Sequence, residues 1–169
     1  MPSPVGHALA GLVTGALTAS PRRPDPRVST LWGRGLLCAA VACLPDLDLT
    51  LGVHSMYTHS LGAVVIVGAV AALAFRRDWP LAAACTLAYA THPVLDWLGR
   101  DTSPPLGIMA LWPFSDAFFI APHPFIPPVN RRYWLPDFWE HNLRVVSVEL
   151  VVFGSLALLA LEWRRRRPC

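Results

Sequence analysis

The sequence predicts an all-α protein: a polytopic membrane helical bundle of about five helices, with a long proline-rich connector before the last. Three observations carry this. Of 169 residues, 54% are hydrophobic and only 15% charged, whereas a soluble domain carries about a quarter charged residues. The apolar residues gather into five stretches. The 17 prolines lie largely between those stretches, where a fixed φ and a missing donor end helices. A chain of this length predicts one domain, residues 1–169.

The first stretch runs from about Val5 to Thr18 and the second from about Leu31 to Leu47. Both are short and glycine-rich, so they tilt, stop partway, or pack wholly against the other helices. The third (about His59 to Phe75), fourth (about Trp79 to Leu98) and fifth (about Val145 to Trp163) approach the ~20 residues that cross a bilayer. Between them, residues 20–27 hold three prolines and cannot be helical, and Arg76-Arg77-Asp78 reads as a tight turn. The connector over about 99–142 contains Pro122-His123-Pro124 and Ile126-Pro127-Pro128. These predict extended chain at the protein surface or the membrane interface, where Trp112, Tyr133, Trp134 and Trp139 belong. A proline-stiffened loop packed on the helices is the alternative.

All 14 basic residues are arginines, and a net charge of +3 this scattered argues against a nucleic-acid partner. If all five stretches cross, Arg22, Arg23, Arg27, Arg34, Arg76, Arg77 and Arg164 to Arg167 share one face. Only Arg100, Arg131, Arg132 and Arg144 lie on the other. Arginines beside helix ends favour the cytoplasmic side, which predicts a cytoplasmic carboxyl terminus. The start, MPSPVGHALAG, lacks a basic segment, so no cleaved signal peptide is expected. Cys38, Cys43, Cys85 and Cys169 show no metal-binding or redox spacing and read as small buried hydrophobes.

On this topology seven residues converge on the outward face: His7 at the start of helix 1, Asp46 and Asp48 at the end of helix 2, His54 and His59 before helix 3, and His92 and Asp96 near the end of helix 4. Ionisable groups beside a bilayer are costly and usually functional. His92 and Asp96, four apart, share a helix face and can meet one ion. Asp46 and Asp48 can both turn inward from a frayed helix end. A mixed imidazole and carboxylate set predicts a divalent metal, Zn²⁺ before Mn²⁺ or Fe²⁺. Asp137, Glu140 and His141 could add ligands, although a polar surface helix is the simpler reading of them.

Together and in order, His7, the run Leu44-Pro45-Asp46-Leu47-Asp48, His54-x4-His59-Ser60, His92-x3-Asp96 and the run Leu111 to Ser115 resemble the YdjM/YbcI-like bacterial inner-membrane proteins, described as predicted metal-dependent hydrolases. The resemblance covers roughly residues 1–120, the core of the domain. It implies the bacterial inner membrane and, through a distant similarity to the zinc-dependent phospholipase C and P1 nuclease group, phosphoester hydrolysis. The family commonly has Arg after the first His of His-x4-His. Here that position is Ser55, leaving Arg100 and Arg131 as candidates for a cation beside the site.

The expectation is therefore a membrane-bound metal-dependent hydrolase holding one to three ions on His7, Asp46, His54, His59, His92 and Asp96. Asp48 is expected as a ligand or general base, with Thr58 and Ser60 orienting the site. A membrane lipid, or a lipid-linked or amphiphilic substrate, suits its position. Two alternatives stay open: a non-enzymatic membrane protein with a structural or transport-related metal site, and a peripheral helical protein with an ordinary core.

Overall fold

A computed structural model describes residues 1–18, 25–28, 30–51, 54–102 and 104–166. Ser20 to Pro24, with Arg22 and Arg23, and also Arg167 and Cys169 lie outside the described residues, so their expected placements are not addressed. Among the described residues there are five helical rods and no strand beyond two isolated bridges, Gly99 to Ile126 and Ile108 to Phe119.

Helix α1 spans Pro4–Leu17. Pro4 suits the first turn, where no donor is needed, and the Ser3 hydroxyl caps the Val5 and Gly6 amides. Thr30 caps α2, Leu31–Cys43. The two helices pack closely because Gly11 and Gly15 face α2. A Cβ on Gly11 would meet the Cys38 carbonyl and stand 2.6 Å from the Ala42 Cβ, and one on Gly15 would stand 2.9 Å from the Arg34 carbonyl. This spacing of small residues lets helices approach backbone to backbone.

Helix α3 covers Leu61–Ala74, with Ser60 as its cap. Helix α4 covers Trp79–Leu98 and lies centrally, touching α1, α2 and α3. The last rod runs Phe138–Arg165 without a break. It comprises α5 (Phe138–Glu149), a π turn at Leu150–Gly154 and α6 (Ser155–Arg165). It packs along α1, with Ala160 and Leu161 against Ala16, Leu12 and Val13.

Three expected boundaries are corrected. The second stretch stops being α-helical at Cys43 and continues as a 3₁₀ segment, Leu44–Leu51, since Pro45 suits a helix start better than a helix interior. The third begins two residues later than expected because Ser60 turns extended to cap it. At 14 residues and ~21 Å it falls short of a ~30 Å hydrocarbon core. The last rod begins at Phe138 rather than Val145. Its first turns are polar and join the connector: the Asn142 Oδ1 accepts from the Asn130 amide (2.7 Å) and the His141 ring meets the Pro128 carbonyl (2.8 Å).

Only the last rod, among the described residues, is long and apolar enough to cross a membrane alone, with a mean hydropathy of 2.1 and 28% of that window buried. A soluble core helix would be mostly buried. On α3, Leu61, Val65, Ile66, Val70 and Leu73 are also exposed, an apolar surface that water solvates poorly.

The two ends of the bundle differ. At one, Arg34 grips Asp78 through two hydrogen bonds of 2.7 and 3.2 Å, both residues buried. Asp78 also caps α4 through the Leu81 amide, and Arg165 lies 6.0 Å from the Trp32 ring. At the other end stand the histidines and aspartates.

Candidate metal centre

Four helix ends build this site. The start of α1 supplies His7, the 3₁₀ segment after α2 supplies Asp46 and Asp48, the short turn Tyr57–His59 before α3 supplies His59, and α4 supplies His92 and Asp96. His7, His59, His92 and Asp96 are essentially inaccessible. Asp46 and His54 retain 17% and 15% side-chain exposure, so solvent reaches the cluster from their side. All seven residues expected from sequence come together here. His123 is exposed, His141 is held by the connector, Glu140 pairs with Arg144, and Asp137 stands just before α5 without a side-chain capping bond. None of these four joins the groups below.

The Asp96 carboxylate is the centre. Its Oδ2 lies 3.3 Å from the Nε2 atoms of both His59 and His92, and its Oδ1 lies 3.4 Å from His7 Nε2. The His59 and His92 Nε2 atoms are 3.1 Å apart, and His92 Nε2 is 3.6 Å from Asp46 Oδ1. Yet both Asp96 oxygens are buried without a hydrogen-bond partner, a costly state for a carboxylate. Two donors on a tetrahedral ion with ~2.0–2.1 Å bonds stand ~3.3 Å apart. Carboxylate oxygens and imidazole nitrogens crowded at this spacing, outside hydrogen-bond geometry, match the donor spacing around a bound cation.

The surrounding contacts set the rings. His92 Nδ1 is 2.7 Å from the Ala42 carbonyl, which makes it the protonated nitrogen and leaves Nε2 facing Asp96. The His7 and His92 rings stack at 3.6 Å. His59 Nδ1 faces Asp48 Oδ2 at 3.3 Å, His54 Nδ1 faces Asp48 Oδ1 at 2.9 Å, and the Thr58 hydroxyl donates to Asp48 at 2.8 Å. The Tyr89 hydroxyl in turn holds the Thr58 carbonyl. Asp48 thus receives three donors. Burial favours its neutral form, but His54, His59 and Thr58 outweigh this and hold it well below the usual carboxylate range. For His59, burial opposes the charge, yet the facing Asp48 and Asp96 carboxylates prevail and raise it to about 9.

Three overlapping triads each bring their ligand atoms within 4.8 Å of one another: His7, His92 and Asp96; Asp46, His59 and His92; Asp48, His54 and His59. The expected orienting role of Thr58 has a direct contact behind it. Ser60 instead bonds the Tyr57 carbonyl and caps α3.

Two residues outside the seven expected ligands stand out. Arg131, carried by the connector, places its Nη2 2.6 Å from His54 Nε2. Ser55 turns its hydroxyl to Met1 Sδ, and Arg100 turns to the Pro124 carbonyl. Of the two candidate arginines, Arg131 is thus the one that reaches the cluster. Glu149, in the last rod, is buried and accepts hydrogen bonds from the Ser3 amide (2.7 Å) and the Ser3 hydroxyl. A carboxylate in the midst of an apolar run was its sequence signal.

The family model of the YdjM inner membrane protein matches residues 1–167. The chain belongs to this family. It is 30% identical over 188 residues to the inner membrane protein YbcI of Escherichia coli (strain K12), covering 99% of this chain and 100% of that protein. No solved structure matches. The family extends through the connector and the last rod, well past the resemblance at residues 1–120, and it agrees with the apolar surface in assigning an inner membrane protein.

Proposed function

We propose that the chain is a multi-pass inner-membrane hydrolase that uses a divalent metal, Zn²⁺ by preference, to cleave a phosphoester of an amphiphilic or lipid-linked substrate. The observation that carries this reading is the buried Asp96 carboxylate, unbonded yet surrounded by three imidazole nitrogens at 3.3–3.4 Å. His7, His59, His92, Asp96 and Asp46 would hold the ion, with His54 able to extend the site outward. When bound, the ion supplies Lewis acidity for a phosphoryl oxygen and acidifies a water.

The chain's own residues divide the remaining work. Asp48 orients His54 and His59 through their Nδ1 protons, and its three donors leave it better suited to this than to proton abstraction. Arg131, adjacent to His54, supplies a positive group for an anionic substrate, the part that Ser55 cannot play. Asp46 and His54 form the solvent-facing side. The arginine distribution supports a cytoplasmic carboxyl terminus and a site facing outward.

The test is metal content of detergent-purified protein together with hydrolysis of a phosphoester panel, with and without chelator. Metal bound and hydrolysis lost on chelation is the expected result. A metal-free folded protein, inert on the panel, would overturn the reading.

A second reading has its own support. Four of the donor residues are fully buried, as in structural sites closed by four protein ligands. An ion stapling α1, α3 and α4 without turnover would appear as bound metal, a large chelator-induced loss of thermal stability, and no hydrolysis of any substrate.

A further inference from the structure

A cavity of about 320 Å³ lies between α3, α4 and the connector, and His59 forms part of its wall. Its ten other lining residues are apolar, among them Leu61, Ala90, Val94, Trp97 and Phe119. We propose that this cavity binds a hydrocarbon chain of a membrane lipid and presents the polar end of that lipid to the metal centre. The proposal rests on the hydrolase reading and names how its substrate is held.

The occupant follows from the chemistry of the walls. A peptide backbone or polar headgroup placed here would lose its hydrogen bonds to water and regain almost none, a cost of several kcal/mol per group. A hydrocarbon chain loses nothing. The volume lies at the small end of the ~300–1,000 Å³ of ligand pockets, enough for part of one chain.

The position supplies a direction. Leu61 and Val94 line the cavity and are 58% and 53% exposed, so its rim lies on the apolar surface of α3 and α4. In a membrane that rim faces lipid. His59, on the same wall, is fully buried, with its Nε2 facing Asp96 at 3.3 Å. One side chain therefore separates the apolar chamber from the cluster.

The outer wall is built rather than incidental. Ile108 and Phe119 exchange two backbone hydrogen bonds of 2.9 and 2.8 Å, and the Leu61 amide donates to the Ala110 carbonyl (2.9 Å). Trp112 seats against Gly62, where a Cβ would come within 2.7 Å of its ring. The run Leu111 to Ser115 thereby clamps the connector over the start of α3.

The experiment uses full-length protein in phosphatidylethanolamine/phosphatidylglycerol vesicles doped with a phosphatidic acid bearing a diazirine in mid-chain. After irradiation, adducts are mapped by mass spectrometry. Adducts should concentrate on the Leu61–Val64, Ala90–Trp97 and Ile108–Phe119 segments. They should fall severalfold in Ala90→Phe and, independently, in Ala110→Phe, each checked for helicity and metal content. Labelling spread evenly over Val65, Val70 and Leu158, without enrichment at the cavity, would overturn the proposal even if both variants misfold. Labelling unchanged in folded variants would do the same. Because the readout needs no turnover, enriched labelling with no metal and no hydrolysis would sink only the hydrolase reading. Hydrolysis of a soluble phosphoester without enriched labelling would sink only the chain site.

Discussion

Arg131 approaches His54 at 2.6 Å across 77 residues of sequence, joining the proline-rich connector to the rim of the histidine cluster. With Asp48 accepting from Nδ1 and Arg131 donating to Nε2, His54 is assigned as the neutral Nδ1–H tautomer. Under the proposed function, the guanidinium is the group that receives an anionic substrate. Arg131→Ala should therefore leave metal content unchanged and lower kcat/KM for a phosphate-bearing amphiphile about tenfold, near the worth of one charge-assisted hydrogen bond. Equal losses on a neutral ester would show that the arginine acts on structure instead.

Asp48 and Asp96 should separate in their effects. Asp96→Asn removes the charge at the centre of the cluster and is expected to abolish metal binding. Asp48→Asn should weaken metal affinity by ~10–100-fold, the usual effect of losing a group that orients ligands. Metal titration with a competing chelator distinguishes them. Complete loss of metal in Asp48→Asn would make Asp48 a ligand.

His59 gives the site a proton-linked behaviour. In the metal-free protein its pKa is raised from 6.5 to about 9, so its contribution to stability is full below about 6.5 and is lost as pH rises through about 9. Metal binding runs the other way, because a ligating ring must be deprotonated. Affinity should climb up to about tenfold per pH unit below pH 9, with one proton released from His59. Calorimetry in two buffers of different ionisation enthalpy reads that proton directly. Uptake without proton release would exclude His59 as a ligand.

The Arg34–Asp78 pair carries a stability prediction distinct from the site. Removing one partner of a buried pair leaves an uncompensated charge, so Arg34→Ala should cost about 3–5 kcal/mol. Replacing both with apolar residues should recover most of it. Thermal unfolding in detergent, with metal content as a control, measures this. A loss of metal at unchanged stability would contradict the placement of the pair at the far end of the bundle.

Much of the site was legible because helix ends alternate between faces. Once five apolar stretches were drawn, His7, Asp46, His59, His92 and Asp96 had to gather. Thr58 could be placed for the same reason. Arg131 was only one of two candidate cations, since no periodicity constrains a connector that folds back through its own prolines. The start of the last rod was misplaced at Val145 because residues 138–144 are polar, and hydropathy alone cannot separate a polar helical turn from a loop. The Gly11 and Gly15 seam was visible as composition, but which helix it faces depends on three-dimensional packing. The short α3 reflects a local contest, which Ser60 wins by capping rather than extending the helix.

The π turn at Leu150–Gly154 has a consequence for the phase of the last rod. Its buried residues include Val145, Glu149, Ala157 and Leu161, a spacing built on steps of four. An ordinary α-helix slips about 40° with each such step, so over four steps Leu161 would swing away from the face that holds Glu149. The turn admits an extra residue and takes up much of this slip, in the manner of a vernier. One rod can then offer its carboxylate to Ser3 at the site end and small residues to α1 at the arginine end. Deleting a single residue from 150–154 should leave the rod helical and apolar but put its two halves out of step, so that either the Glu149 latch or the Ala160 seam could close, and not both.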